Sequence, residues 1–334
     1  MPSMSRPPPV SALLRVCSAP LNNDLPHERM DATVVICTHN PRETYLRRCL
    51  DGLRAQTLDR QRWEMLLVDN HSDRPLADRV DVSWHPGARL LREERLGLTP
   101  ARLRAIREAA GAILVFVDDD NVLDGDFLEA ALHVANEKPF LGSWSGQCRP
   151  EFEEPPPAWT RRYWGNLVIR EFDEDVWSNL PRLAESMPCG AGLCVRLAVA
   201  QRYAALHDSG QRLFQFDRTG TSLLSGGDND LAGCACILGQ GVGLVASMKL
   251  THLIPRERLT EEYLARLAEG IHFSSTLLDA AYGSPLQRRG LLGAAVDFAR
   301  TLRVKPPHRR ILRAAYRGRD RALRELARAG DAVR

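Results

Sequence analysis

A chain of 334 residues with 26% charged and 44% hydrophobic side chains reads as globular, with room for one large domain or two ordinary ones. No apolar stretch approaches the roughly 20 residues that cross a bilayer. The eight cysteines have neither disulfide-framework spacing nor paired CxxC zinc spacing, so a spanning protein, a disulfide scaffold and a cysteine zinc site are set aside.

Residues 1–30 contain Arg6, Pro7-Pro8-Pro9 and a short apolar patch at Leu13-Leu14. Without the longer apolar segment of a secretory signal they read as a flexible tail, and the protein as cytoplasmic with reduced thiols. The β-branched run 33–37 predicts a strand that stops at Thr38-His39-Asn40-Pro41. Over 42–56, Tyr45, Leu46, Cys49, Leu50 and Leu53 recur at helical spacing, and 63–68 is a second strand, stopped by Asp69-Asn70-His71-Ser72-Asp73. A β-α-β unit with acids and amides at both strand ends is a nucleotide-binding layout.

A short strand over 89–91 leads to Gly97-Leu98-Thr99-Pro100, where Thr99 suits a helix cap and Pro100 a first helical residue. The helix 101–110 carries Arg102, Arg104 and Arg107 and ends at Gly111. The apolar run 112–117 then stops against Asp118-Asp119-Asp120-Asn121, placing three carboxylates at the carboxyl end of a buried strand. In open α/β sheets that end is where ligands bind. Clustered carboxylates repel one another unless a cation sits among them, and Mg²⁺ or Mn²⁺ held by one or two carboxylates completes its shell with water and phosphate oxygens. The turn therefore reads as a metal site facing a phosphorylated molecule.

A helix over 126–137 and a strand over 141–145 follow. Between 144 and 177 lie Trp144, Trp159, Trp164 and Trp177, with Pro155-Pro156-Pro157 and several acids. Proline forbids long regular structure there, and indoles beside carboxylates suit the apolar face and hydroxyls of a sugar. Residues 187–195 are a Gly190-Ala191-Gly192 turn feeding a strand, where glycine admits close backbone approach. Gly226-Gly227-Asp228-Asn229-Asp230 opens a helix over 231–238. An aspartate there is first a cap and a dipole partner, but two aspartates exceed what a cap requires, and either is a candidate base. A strand over 243–248 precedes Lys249-Leu250-Thr251-His252.

Taken in order, the strand ending Thr38-His39-Asn40, Asp69, the Gly97…Ala101-Arg102 segment, Asp118-Asp119-Asp120, Gly190-Ala191-Gly192, Gly227-Asp228-Asn229-Asp230-Leu231 and the late His252 resemble family 2 glycosyltransferases over roughly residues 32–258. That resemblance implies a GT-A fold, a Rossmann-like mixed α/β sheet with helices on both faces. Three parts are expected: the tail 1–30, a catalytic domain 31–258 and a basic helical C-terminal extension 259–334. It implies inverting, metal-dependent transfer from a nucleotide-sugar, most often a UDP-sugar, to a hydroxyl of a glycan or lipid-linked glycan. Thr38, His39, Asn40, Asp69 and Arg102 would line the nucleotide, with Asp118 and Asp119. Asp118, Asp120 and His252 would hold Mn²⁺ or Mg²⁺ on the diphosphate. Asp228 matches the base, with Asp230 as the alternative. Trp144, Trp159, Gly190, Ala191 and Gly192 would border the acceptor. Two positions depart from the family: the glutamate often found before the base is Gly227, and the asparagine often found after the Ala-Arg pair is Leu103.

The net charge of +3 conceals an asymmetry. From Ser284 onward there are fourteen Arg and Lys against four Asp and Glu, a balance of +10 that leaves −7 for the rest. Helical periodicity begins at Thr260-Glu261-Glu262, and 308–328 forms a basic amphipathic helix. Such a helix suits either an anionic membrane surface or packing on the catalytic domain; nucleic acid is disfavoured. Competing functions are a catalytically inactive glycan- or partner-binding module, which Gly227 favours, and a nucleotidyltransferase, which lacks its Gly-rich basic loop after the first strand. A dinucleotide oxidoreductase is disfavoured because Gly239, Gly241 and Gly243 follow a helix and not a strand.

Overall fold

The apolar runs pair as the buried strands of one sheet. In the computed structural model, which describes residues 30–182, 184–212, 216, 223–283 and 291–332, the first half of that sheet is parallel. β1 (Ala32–Thr38) lies between β2 (Trp63–Asn70) and β4 (Ile113–Val117), and β3 (Ala88–Glu93) pairs outside β2. The second half is mixed. β8 (Leu193–Arg196) runs antiparallel to β4 and to β6 (Leu141–Phe152), which in turn runs parallel to β9 (Gly241–Ile254). Two three-residue strands, β5 (Asn121–Leu123) and β7 (Val176–Ser178), pair with β9. The expected tail 1–30 lies, apart from Met30, outside the described residues.

Helices cover both faces, as the near-continuous apolar strands require. On one face α1 (Glu43–Arg54) and α3 (Phe127–Glu137) bury Leu46, Cys49 and Phe127 with Ile36, Trp63, Val115 and Trp144. On the other, α2 (Leu98–Glu108), α4 (Leu197–Asp208) and α5 (Gly227–Ile237) bury Ala101, Ile106, Tyr203 and Leu231 with Val35, Leu66, Leu114 and Phe116. Val34 and Ile36 face one cluster and Val35 the other, the two-residue period of a strand.

Several boundaries differ from those read in the sequence. β6 and β9 run to twelve and fourteen residues because they pair with each other past two register irregularities. Backbone ladder bonds thus carry the strand through polar residues such as Gln147 and Arg149, where side-chain pattern gives no signal. α2 begins at Leu98, before the expected Thr99 cap, because Gly97 at φ 138° turns the chain sharply and the helix starts at once. α4 had no sequence expectation.

The C-terminal helices pack on this body. Thr260 caps α6 (Glu261–Ala281) by accepting a hydrogen bond from the Tyr263 N–H at 3.2 Å. α7 (Leu291–Leu302) and α8 (His308–Ala332) follow. Ile311, Ala314 and Ala315 of α8 are buried with Leu264, Leu267 and Ala268 of α6 and with Ile254 of β9. Of the two settings expected for the basic helix, packing describes its apolar side. The seat is close: a Cβ at Gly318 would lie 2.1 Å from the carbonyl oxygen of Glu269. Gly318→Ala is therefore expected to cost about 1–3 kcal/mol as α8 is pushed off α6, read as a fall in Tm; an unchanged Tm would mean that the two helices are not seated this closely.

Candidate active site

A cavity of about 490 Å³ opens at the carboxyl ends of β1 and β4. This is the point where the sheet order reverses: the chain runs outward from β1 through β2 to β3 and returns to β4 on the other side of β1. Loops leaving neighbouring strands in opposite directions part there and leave a crevice.

One wall is made by the ends of β1 and β2. Thr38, His39 and Asn40 line it, with Asn70. Asn40 adopts φ 49°, a left-handed conformation that asparagine tolerates, and is held there on both sides. Its N–H donates to Ser72 Oγ at 3.0 Å, its amide donates to Asp73 Oδ2 at 3.1 Å, and its Oδ1 accepts from the Asp73 N–H at 3.0 Å. Asn70 Oδ1 accepts from the Gly97 N–H at 2.8 Å, fixing the start of α2 and so the position of Arg102. Arg102 lines the cavity, buried to 4% exposure.

Asp69 takes a different place from the expected one. Its carboxylate is wholly buried, accepts from the Ser72 N–H at 3.0 Å and the Leu76 N–H at 3.1 Å, and pairs with Arg92 at 2.8 Å. It is absent from the cavity lining and shapes the turn after β2. Burial pushes its acidity toward a higher pKa, but the donors at Ser72, Leu76 and Arg92 outweigh it and hold the group below the ordinary value.

The floor is the acidic turn. Asp118, Asp119 and Asp120 all line the cavity. Thr38 Oγ1 donates to Asp119, and Asp120 accepts from the Asn121 amide at 3.0 Å. Burial, then the neighbouring charge of Asp120 and that of Asp118, push Asp119 up to about 7 against the opposing pull of Thr38 and Arg258. The cation that the cluster calls for is in part supplied by the chain: Arg258 pairs with Asp120 at 2.8 Å, and the carboxylates hold its guanidinium above the ordinary value despite burial. His252, on β9, has Nε2 at 3.5 Å from Asp120 Oδ2 and 3.0 Å from Arg258. Its Nδ1 is buried with no hydrogen-bond partner among the described residues.

The donor set fits a hard divalent cation in type, with oxygen from Asp118 and Asp120 and nitrogen from His252. The orphaned Nδ1 also marks an imidazole whose polar capacity is not fully used. Among the described residues, however, no three His, Cys, Asp or Glu side chains already converge on one point. Arg258 stands beside Asp120 in this arrangement, and a metal there requires it to yield.

The opposite wall comes from α5 and the turn before β8. α5 starts at Gly227, four residues earlier than read from the sequence, which puts Asp228 and Asp230 in its first turn. Asp228 faces the cavity; its Oδ2 accepts from the Gly190 N–H at 2.8 Å and its Oδ1 from the Asn229 N–H at 2.9 Å. A carboxylate at that end of a helix is favoured by the helix dipole. A Cβ at Gly190 would stand 3.2 Å from Asp228 Oδ2 and 3.5 Å from an Arg102 nitrogen, so the missing side chain is what lets these two groups close on the backbone. Asp230 points away, fully buried and bound to Arg212 through two contacts, Nε to Oδ2 at 3.0 Å and a second nitrogen to Oδ1 at 2.8 Å. It is absent from the cavity lining.

Of the residues expected at the acceptor side, Gly190 and Ala191 line the cavity. Gly192, Trp144 and Trp159 do not. Gly192 lies at φ 66°, where a Cβ would meet Leu250 at 2.7 Å and Phe127 at 2.8 Å, so its glycine serves packing under the sheet. Trp144 is fully buried in the core, and Trp159 packs against Tyr163 and His308 with ring centres 6.2 Å away in each case. Proline and tryptophan density in this stretch reflects a 3₁₀ segment (Ala158–Leu167) that covers the C-terminal helices. Sequence reading missed Arg42, Glu257, Arg258 and Tyr263, all on the cavity. Their one signal was position, an Arg shortly after His252, and it is weak without the fold.

Residues 33–187 match the family model described as glycosyl transferase family 2. Among curated proteins the chain is 28% identical over 108 residues to a putative glycosyltransferase, EpsH, of Bacillus subtilis (strain 168), covering 32% of this chain and 30% of EpsH. The aligned part thus spans under a third of that relative. Among solved structures it is similar to S. aureus TarS 1-349 in complex with UDP-GlcNAc, at TM-score 0.51 and 16% identity over 85% of this chain and 79% of the other. A second likeness is to GalNAc-T7 with UDP, GalNAc and Mn²⁺, at TM-score 0.50 and 14% identity over 80% and 54% of the two chains. At these identities the structural likeness concerns the fold, and the mixed α/β sheet with helices on both faces is the expected one.

Proposed function

We propose, from the match of residues 33–187 to the glycosyl transferase family 2 model, that this chain transfers a sugar, with inversion, from a uridine-diphosphate sugar to a hydroxyl of a glycan or lipid-linked glycan. The observation that carries the reading is the two-sided cavity: an acidic turn with Arg258 and His252 on one side, and Asp228 on a separate element on the other. A displacement at an anomeric carbon needs those two functions apart, a base for the incoming hydroxyl and positive charge for the outgoing diphosphate.

Asp228 takes the acceptor proton as the acceptor oxygen bonds to the anomeric carbon, while the bond from that carbon to the diphosphate oxygen breaks and the nucleoside diphosphate leaves. The Gly190 N–H and the start of α5 hold the carboxylate in one orientation for that step. Thr38, His39, Asn40 and Asn70 form the wall suited to base and ribose, and Arg102 and Arg258 are among the cations lining the cavity that could face phosphate oxygens. Asp118, Asp120 and His252 are the residues that would hold a Mn²⁺ or Mg²⁺ ion, whose chemistry is to neutralise charge on the departing diphosphate. The UDP-GlcNAc complex of TarS and the UDP and Mn²⁺ in GalNAc-T7 support a uridine donor and a metal. The domain limits 31–258 and 259–334 remain part of the proposal, with the qualification that Arg258 belongs to the cavity and Leu259 is buried under α6. No helix of the described residues is long and apolar enough to cross a membrane; a peripheral contact through the basic C-terminal segment is the corresponding proposal for a lipid-linked acceptor.

Thermal stability against UDP-, GDP- and dTDP-sugars, each with and without Mn²⁺, tests the donor. A ligand that binds only the folded state at a hundredfold excess over Kd stabilises by about 2.7 kcal/mol. UDP-sugars are expected to raise Tm by the corresponding amount and to do so more strongly with Mn²⁺. No shift with any nucleotide at millimolar concentration would overturn the reading.

A further inference from the structure

The apolar side of α8 is covered by α6, but α7 is built the opposite way round. Asp297 and Thr301 are buried, at 4% and 3% exposure, and turned toward α8, where Asp297 pairs with Arg319 at 3.0 Å. Val296, Phe298 and Leu302 stand out in solvent at 48%, 61% and 55% exposure. With Ala295 and Ala299, also exposed, Phe298 and Leu302 fall at helical spacing and make one apolar stripe. Among the described residues nothing covers this stripe, and an exposed apolar stripe of this kind marks a contact surface.

The charges beside the stripe identify that partner. Arg300, Arg303 and Lys305 are exposed at the end of α7, and Arg313 is exposed across from it on α8. None of the four has a carboxylate partner among the described residues, while the neighbouring Arg317 and Arg319 of α8 are paired. Phe298, Arg313, Tyr316 and Arg317 share a cavity of about 330 Å³ between the two helices, an apolar and a cationic wall at one place. Exposed aromatic and aliphatic side chains flanked by unpaired cations complement the acyl boundary and the phosphates of an anionic bilayer.

We propose that α7 is the membrane-docking element of this chain, Phe298 and Leu302 entering the headgroup boundary of an anionic bilayer while Arg300, Arg303, Lys305 and Arg313 contact lipid phosphates. In purpose it rests on the reading of a lipid-linked acceptor, and it moves the contact from α8 to α7. Its test uses no donor, so its failure and the failure of the transfer reading are separable.

The experiment is co-sedimentation of the full chain with phosphatidylcholine vesicles and with vesicles containing phosphatidylglycerol. Binding is expected only to the anionic vesicles and should weaken as salt is raised. Because two large apolar side chains are removed from the boundary, Phe298→Ser with Leu302→Ser should weaken it at least about tenfold. Arg300→Gln with Arg303→Gln should weaken it without removing the apolar contact. All four positions are exposed, so Tm and the Tm shift with UDP should stay as in the unaltered chain; that comparison separates lost docking from lost folding. Vesicle binding unaffected by Phe298→Ser with Leu302→Ser overturns the proposal. Failure of the unaltered chain to bind anionic vesicles also overturns it. So does a dimer in solution that the same pair of substitutions breaks, which would make the stripe a contact between copies.

Discussion

Asp228→Asn is expected to lower kcat about 10²- to 10⁴-fold, the usual worth of a positioned base, with little change in the Tm shift caused by UDP. The substitution keeps the volume and one acceptor oxygen, which can still take the Gly190 N–H and hold the turn before β8, while the Asn229 N–H loses its acceptor. What disappears is the ability to carry the acceptor's proton. Steady-state rates and nucleotide binding on the same preparation distinguish the roles: kcat and kcat/KM falling together mark an interaction made in the transition state, whereas a raised KM at unchanged kcat would make Asp228 an acceptor-binding group. A variant that turns over like the unaltered chain would falsify the assignment of the base.

The second large effect concerns stability. Arg212→Ala should cost about 3–5 kcal/mol, because it leaves the carboxylate of Asp230 buried without its charge partner. The pair is bidentate, and the Tyr282 hydroxyl donates to Asp230 Oδ1 at 3.1 Å and to its main-chain oxygen at 3.0 Å. Burial pushes the Tyr282 phenol well above its ordinary value, with Cys234 and Asp230 adding to the shift. It therefore stays a neutral donor. Since Tyr282 directly follows α6, this network fastens the helix that carries Asp228 to the C-terminal helices. The measurement is Tm and denaturant midpoint of Arg212→Ala, Asp230→Asn and the double variant. The double should recover part of the loss, because removing both charges leaves none unpaired. Full stability with collapsed turnover in Arg212→Ala would instead return Asp230 to the chemistry.

Both predictions turn on side chains two positions apart, and the sequence offered them as near equals. Asp228 and Asp230 share a first helical turn, and nothing in Gly227-Asp228-Asn229-Asp230 says which faces the cavity. Helical geometry puts neighbours two apart on opposite sides, so one faces the cavity only because the other meets Arg212. Arg212 is distant enough in the chain that no local pattern names it. The same logic separates Trp144, a core residue, from the sugar contact that its indole suggested. It separates Asp69, which ties its own loop, from a nucleotide contact. Arg258 is the converse case: an arginine of unremarkable context that reaches the acidic turn because β9 delivers the chain beside it.

The sequence alone determined the parallel strands, the helices between them and the acidic turn at Asp118-Asp119-Asp120, since burial on two faces forces continuous apolar runs that end abruptly in polar groups. It also pointed to helices in the basic C-terminal segment, of which Leu291–Leu302 and His308–Ala332 are described. Tertiary structure decided which of those polar groups share a cavity, where Arg258 goes among the carboxylates, and which helix of the basic segment leaves its apolar side uncovered. Those outcomes depend on contacts between residues far apart in the chain, and periodicity carries no information about partners that only packing brings together.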